Sequence, residues 1–244
     1  MITPAQQHWQ NVMAQRAGRA NEGVDHAART AHEEVLYRLR LAQARLKGVQ
    51  ARSAKAAIKK ELLPDFSGWI EGTLEADGGQ QDEVIATLMV WAIDCGDLPL
   101  ALRIGAYVVR HNLIMPDNFG RTAATVLTEE ICNPVLTQAG GCRRGFVRLY
   151  RTTGHPPGDC HRQDMPDEVR AKLCKACAFA RRGLSDADSM ALSLKLLREA
   201  MHLNPNAGVK REIATLSRAL KKSRFHSRTR RRQRTAGAGR KQQK

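Results

Sequence analysis

Aromatic residues and long apolar runs are both scarce in this chain of 244 residues. Phe, Trp and Tyr together make up 5% of the sequence, which argues against a protein that binds single-stranded nucleic acid by stacking bases on aromatic rings. No segment approaches the roughly 18 consecutive apolar residues of a membrane span. The first residues, Met1 to Gln7, also lack the charged and then apolar pattern of a signal peptide. We therefore expect a cytosolic protein with no membrane partner.

The six cysteines do not follow a convincing metal-binding pattern. A disulfide framework is not expected in a reducing compartment, so each cysteine is either a buried thiol or a metal ligand. The last two lie in a helical pattern beside Leu173, and free cysteine is common in such cores. We predict no metal site, although soft ligands for zinc are available from Cys142, Cys160, His161, Cys174 and Cys177.

Positive charge is in excess and is concentrated at the C-terminal end. Lys and Arg number 40 against 24 Asp and Glu, a formal net charge of +16 at pH 7, which indicates a polyanionic partner, with nucleic acid ahead of an anionic membrane. The segment from Lys221 to Lys244 contains eleven of these basic residues and no acid, so we predict a disordered tail. A solvated tail that only aids solubility is the alternative. The tail residues that we predict to contact phosphates are Arg228, Arg230, Arg231, Arg232 and Arg234.

The segment from Ala31 to Leu63 has the pattern of one long basic helix that ends before Pro64. Its apolar and small residues alternate at spacings of four and three, which is typical of an oligomer seam. These residues are Val35, Leu39, Ala42, Leu46, Val49, Ser53 and Ala56. A bundle helix with a solvated basic face is the alternative, because Ala and Ser weaken a seam. The basic residues that we predict to bind nucleic acid here are Arg38, Arg45, Arg52, Lys55, Lys59 and Lys60.

Two helical hairpins are predicted in the remainder of the chain. Apolar residues recur at helical intervals on both sides of the turn Cys95-Gly96-Asp97. A second pair is predicted from Asp167 to about Arg182 and from Ser185 to Leu203. The hairpins resemble tetratricopeptide-type units, but two separated copies are too few for a self-supporting solenoid.

The predicted fold class is mostly α, with a long N-terminal basic helix, helical hairpins and a disordered basic tail. Five regions are expected: an N-terminal helical region for oligomerisation or DNA contact (1–63), a helical body (64–137), an irregular segment rich in Arg and Gly (138–163), a C-terminal helical region (164–222) and the tail (223–244).

Acidic residues are available for a metal-dependent nuclease, but a nuclease motif is not present. Cleavage of DNA by metal ions requires two or three carboxylates that hold Mg²⁺. Asp82 and Glu83, at the end of a group of acids that begins at Asp65, are weak catalytic candidates, and Mg²⁺ is the expected cofactor if nuclease activity resides in this chain. The Gly-x-x-x-x-Gly-Lys-Ser/Thr phosphate loop is absent, so a motor that uses this loop must be another subunit.

The order and spacing of several segments, over roughly residues 1–137 and 164–222, resemble a known family. This family is the small terminase subunit of Peduovirus-like temperate tailed phages, often called the terminase endonuclease subunit. The segments are Lys59-Lys60-Glu61-Leu62-Leu63-Pro64, Trp69-Ile70, Gln81-Asp82-Glu83-Val84, Trp91-Ala92-Ile93-Asp94-Cys95-Gly96-Asp97, Ala101-Leu102-Arg103-Ile104-Gly105, Met115-Pro116, Thr128-Glu129-Glu130, Met165-Pro166-Asp167-Glu168-Val169-Arg170-Ala171-Lys172-Leu173 and Ala207-Gly208-Val209-Lys210-Arg211-Glu212-Ile213.

The resemblance implies a role in viral DNA packaging in the host cytoplasm. Such a subunit recognises the cohesive-end (cos) site of concatemeric phage DNA, takes part in its cleavage and helps to load it into proheads. The implied partners are double-stranded DNA, the large ATPase subunit and further copies of the chain. Two alternatives stay open: a metal-dependent endonuclease in its own right, and a non-enzymatic helical scaffold with a nucleic-acid-binding tail.

Two segments depart from the family pattern. They are Ala139 to Gln163 and the Arg-rich end after Ser223, and both resemble out-of-frame translation. Our hypothesis is that compensating frame errors replaced ordinary helix with the first of them, in which case Cys142, Cys160 and His161 carry no metal-binding meaning.

Overall fold

The computed structural model describes residues 2–19, 25–116, 120–137, 164–181 and 186–222. Every regular element in these ranges is helical, which confirms the prediction of a mostly α-helical protein. The irregular segment 138–163 and the tail 223–244 lie outside the described residues, and so do Cys142, Cys160, His161 and the tail arginines. Within the described ranges, no helix combines the length and the apolar character needed to cross a membrane.

The chain divides into two compact units. The first contains most of the described helices: α1 (Pro4–Arg19), α2 (His26–Lys47), α3 (Arg52–Leu62), a 3-10 turn (Leu63–Phe66), α4 (Ser67–Ala76), α5 (Glu83–Asp94), α6 (Leu98–Arg110) and the greater part of α7 (Ala123–Thr137). The second contains α8 (Asp167–Ala180), α9 (Ala187–Leu203) and α10, a helix over residues 210–222.

The basic segment predicted as one helix from Ala31 to Leu63 is divided into α2 and α3. Helix α2 begins five residues earlier than predicted, because Asp25 caps it by accepting a hydrogen bond from the Ala28 backbone N–H at 3.0 Å. It ends at Gly48, a weak helix former. The chain is then extended at Ala51 before α3 starts.

The heptad-like stripe belongs to the interior of the first unit. Val35, Leu39, Ala42 and Leu46 are buried on the side of α2 that packs against α1 and α5. The stripe does not continue along α3, where Ser53 is exposed. The bundle-helix interpretation is therefore correct for this face, and the oligomer-seam interpretation of it is wrong.

Helices α5 and α6 form the first predicted hairpin. Helix α5 contributes a nearly continuous buried surface, which includes Ile85, Leu88 and Met89. The turn between the helices places Gly96 at φ 74°, a left-handed conformation that glycine adopts without steric cost. Asp97 then caps α6 by accepting a hydrogen bond from the Leu100 N–H at 3.2 Å. Periodicity and turn chemistry together predicted this hairpin correctly.

Helices α1 and α4 approach each other unusually closely, because glycines lie at their contact. A Cβ atom built on Gly68 would lie 2.2 Å from the Gln7 carbonyl oxygen. A Cβ atom on Gly72 would lie 2.2 Å from the Asn11 carbonyl oxygen and 2.8 Å from the Ala14 Cβ. All three distances are below van der Waals contact, so only glycine fits at these two positions with the helices as they are.

The second unit is built around the second predicted hairpin, formed by α8 and α9. Ala171, Cys174 and Ala200 are buried together in its core. Burial raises the pKa of the Cys174 thiol to about 11 and that of Cys177 to about 12, so both cysteines are neutral thiols at physiological pH. Their interpretation as buried core residues is confirmed.

Candidate nucleic-acid interface

Three of the predicted phosphate-binding residues lie on one face of α3. Arg52, Lys55 and Lys59 are spaced by three and four residues, which places their side chains in one row along the helix. All three line a cleft of about 740 Å³. Helices α2, α5 and α7 supply other walls of the cleft, with Gln43, Trp91 and Glu130 among the lining residues.

We call this feature the basic cleft and define it by Arg52, Lys55, Lys59 and Arg121. Arg121 precedes α7 and was not predicted, because it stands outside any helical pattern and reaches the cleft only through the tertiary fold. Its guanidinium lies 3.2 Å from the Glu129 carboxylate.

The cations of the cleft differ in how they are paired. The Lys59 ammonium forms an ion pair with the Asp94 carboxylate and lies 5.8 Å from the centre of the Trp91 ring. In the part of the chain that the structure describes, neither Arg52 nor Lys55 forms an ion pair or a side-chain hydrogen bond. Because their donors are uncommitted, these two side chains can bind a phosphate without first breaking an ion pair.

The structure does not bring the predicted residues Arg38, Arg45 and Lys60 into the cleft. Arg38, on α2, pairs with Glu34 one turn earlier on the same helix, and Arg45 lies 3.9 Å from Glu61 at an exposed position. Lys60 is exposed and lines a different depression, beside Pro64 and Asp97. These residues add to the positive potential of the surface, in a stretch from 26 to 62 that carries nine Lys or Arg against three Glu.

Asp82 is held inside the first unit by three contacts. Its carboxylate accepts hydrogen bonds from Trp69 Nε1 at 2.7 Å and from the Val84 N–H at 2.8 Å, so it caps α5. His32 Nε2 lies 3.1 Å from the same carboxylate, and this hydrogen bond raises the pKa of His32 above its usual value. The geometry is that of a structural cap joined to the buried Trp69 ring and the half-buried His32 ring.

The two catalytic candidates do not form part of a metal-binding cluster. Glu83 is partly exposed in the first turn of α5, where a negative charge interacts favourably with the helix dipole. Among the residues described, no group of three or more His, Cys, Asp or Glu side chains is arranged to hold a metal ion.

Comparison with known proteins identifies a family and a similar protein. The model of the family described as phage small terminase subunit matches residues 36–154. The chain is also similar to the protein named terminase, endonuclease subunit, of Escherichia phage P2, with 37% identity over 222 residues, which cover 91% of this chain and 87% of that protein. No solved structure matches.

Proposed function

The chain belongs to the phage small terminase subunit family, and from this premise we propose that it binds the cos site of concatemeric viral DNA through the basic cleft. Its family role is that of a DNA-packaging terminase subunit. The observation that carries the proposal is the pair of uncommitted cations, Arg52 and Lys55, in a cleft on a surface with excess positive charge. Phosphate contacts would position the protein on the duplex and make its affinity depend on salt.

The proposal includes two protein partners. In it, the large ATPase subunit supplies the motor, because this chain has no phosphate loop for ATP. Further copies of the chain would provide several DNA-binding surfaces on one assembly, and multivalent binding raises the overall affinity for a long polymer. The proposed setting is the cytoplasm of the infected host.

Removal of Arg52 and Lys55 should weaken DNA binding and make it less sensitive to salt. The double variant Arg52→Ala, Lys55→Ala should lower the slope of log affinity against log salt by about one to two units, because each lost phosphate contact removes about 0.9 units. The measurement is a titration of a cos-containing duplex at several salt concentrations.

A control double variant has the same net charge as the Arg52→Ala, Lys55→Ala protein. Arg29→Ala with Arg103→Ala removes two cations that are each paired on the surface, with Glu33 and Glu71, and should leave the slope near that of the wild type. Equal slopes for all three proteins would contradict the basic cleft as the binding site. The double variant Arg231→Ala, Arg232→Ala tests the tail in the same assay. An unchanged slope would mean that these two residues do not contact phosphates and that the tail serves only solubility.

We further propose that the chain takes part in cleavage of cos DNA together with the large subunit. The support is the similarity to the phage P2 protein that is named terminase, endonuclease subunit. Because the described residues offer no metal-binding cluster, we expect the purified chain with Mg²⁺ to bind a cos fragment without cutting it. Cutting should begin when the large subunit and ATP are added. Mg²⁺-dependent cutting by this chain alone would favour the alternative of an endonuclease in its own right.

A further inference from the structure

The basic cleft is lined by apolar side chains as well as by cations. Its apolar lining includes Val90 on α5, Met115 and Val126 on α7. Met115 and Val126 are buried, and Val90 is partly exposed. A surface that only follows a row of phosphates needs positive charge and hydrogen-bond donors. The apolar lining therefore indicates a ligand that brings apolar surface in addition to a phosphate.

Two further polar side chains of the cleft are not used by the protein itself. Gln43 on α2 and Glu130 on α7 line the cleft, and neither forms a side-chain hydrogen bond or an ion pair with any described residue. A Gln amide can bond one edge of an adenine, and a Glu carboxylate can accept a hydrogen bond from the amino group of a cytosine. Because Glu130 repels phosphate, a bound phosphate should lie beside α3 and a neutral part of the same ligand beside Glu130.

The size of the cleft limits what can enter it. Its volume of about 740 Å³ lies within the range of pockets that take one small molecule, about 300–1,000 Å³. A duplex cannot enter, since its major groove alone is about 12 Å wide. Exposure decreases along α3, because Arg52 is exposed, Lys55 is partly exposed and the Lys59 side chain is only 14% exposed. Duplex phosphates can therefore meet the exposed end of this row, whereas the interior has room for a single nucleotide.

We propose that the basic cleft binds one unpaired nucleotide, with its phosphate on Arg52 and Lys55 and its base against Val90 and Val126. The inference rests on the proposed DNA binding by the same cleft and names the part of the DNA that enters it. The base would contact aliphatic side chains, so the scarcity of aromatic residues is no obstacle. An unpaired end of a DNA strand and a free nucleotide share this chemistry, and the test separates these two sources.

The test compares DNA probes that bind the full chain, with fluorescence anisotropy at one salt concentration. One probe is a duplex with a short single-stranded extension of mixed sequence, and the other is a blunt duplex with the same number of phosphates. The extended probe should bind about tenfold more tightly. A mixture of the four deoxynucleoside 5′-monophosphates should not displace it if a strand end is the source, and displacement would identify a free nucleotide. Neither preference nor displacement would overturn the inference.

The variant Val90→Phe separates base contacts from phosphate contacts. Val90 is partly exposed in the cleft, so the larger ring takes up the space proposed for the base while Arg52 and Lys55 remain. This variant should lose the preference for the extended probe and keep the wild-type affinity for the blunt duplex. The control Leu192→Phe, at a residue of α9 that is 40% exposed, should keep both.

The two proposals fail in different ways. A Val90→Phe protein that keeps the tenfold preference would overturn the nucleotide site even if duplex binding depends on Arg52 and Lys55. Failure of the proposed function appears instead as an unchanged salt slope for the blunt duplex in the Arg52→Ala, Lys55→Ala protein. Circular dichroism should show unchanged helix content in the Val90→Phe protein, because the side chain is partly exposed.

Discussion

Replacing Asp82 by Ala should lower the free energy of unfolding of the first unit by about 3 kcal/mol. Loss of the N-cap of α5 costs about 1 kcal/mol. Loss of the acceptor for Trp69 leaves a buried indole N–H unpaired, which costs about 1–3 kcal/mol. The measurement is urea denaturation at pH 7, followed by circular dichroism.

The matched variant for this prediction is Asp97→Ala. Asp97 caps α6 through the Leu100 N–H in the same way, but it is exposed. Its loss should therefore cost about 1 kcal/mol, the value of the cap alone. The difference between the two variants measures the bonds of Asp82 to Trp69 and His32, and equal losses would show that these bonds add nothing to stability.

This structural role changes how the catalytic candidates can be tested. Loss of DNA cleavage in an Asp82→Ala protein would follow from damage to the fold, so it would not identify a catalytic carboxylate. Glu83 makes no side-chain hydrogen bond or ion pair with any described residue and is partly exposed. Glu83→Gln is therefore the variant that separates chemistry from stability.

The helical hairpins could be predicted from the sequence because their signals are local. In the α5–α6 pair, apolar periodicity defines each helix, and Gly96 with Asp97 marks the turn between them. The break after Gly48 was missed because the spacing of four and three continues through Val49 and Ser53. A single glycine costs a helix only about 1 kcal/mol, so tertiary packing decides whether the helix continues.

Only the part of the basic cleft that lies on a single helix could be predicted from the sequence. Arg52, Lys55 and Lys59 share a face because of their spacing, and the sequence shows that spacing. Their pairing could not be predicted, since Asp94 is 35 residues from Lys59 in the chain. In the sequence, Asp82 is one of several acids available for catalysis. Its burial and its contact with His32 could not be predicted, because His32 lies 50 residues away in the chain.

Replacing Gly72 by Ala should destabilise the first unit by about 2 kcal/mol, although alanine is the better helix former. The new Cβ would lie 2.2 Å from the Asn11 carbonyl oxygen, a backbone atom that moves only if α1 moves. Overpacking of this kind costs up to about 3 kcal/mol, and the gain in helix propensity offsets about 1 kcal/mol. Urea denaturation measures the net change.

A second readout shows whether the cost arises at the α1–α4 contact. If α1 is displaced from α4, the backbone amides of α1 should exchange with deuterium faster in the Gly72→Ala protein, while those of the α8–α9 hairpin keep their protection. The control is Gly48→Ala, where the nearest atom to the new Cβ is the Arg45 oxygen at 3.8 Å and φ is −75°. That variant should change stability by no more than about 0.5 kcal/mol. A Gly72→Ala protein as stable as the Gly48→Ala protein would contradict the close packing of α1 on α4, because a Cβ at Gly72 would then fit beside the Asn11 carbonyl oxygen.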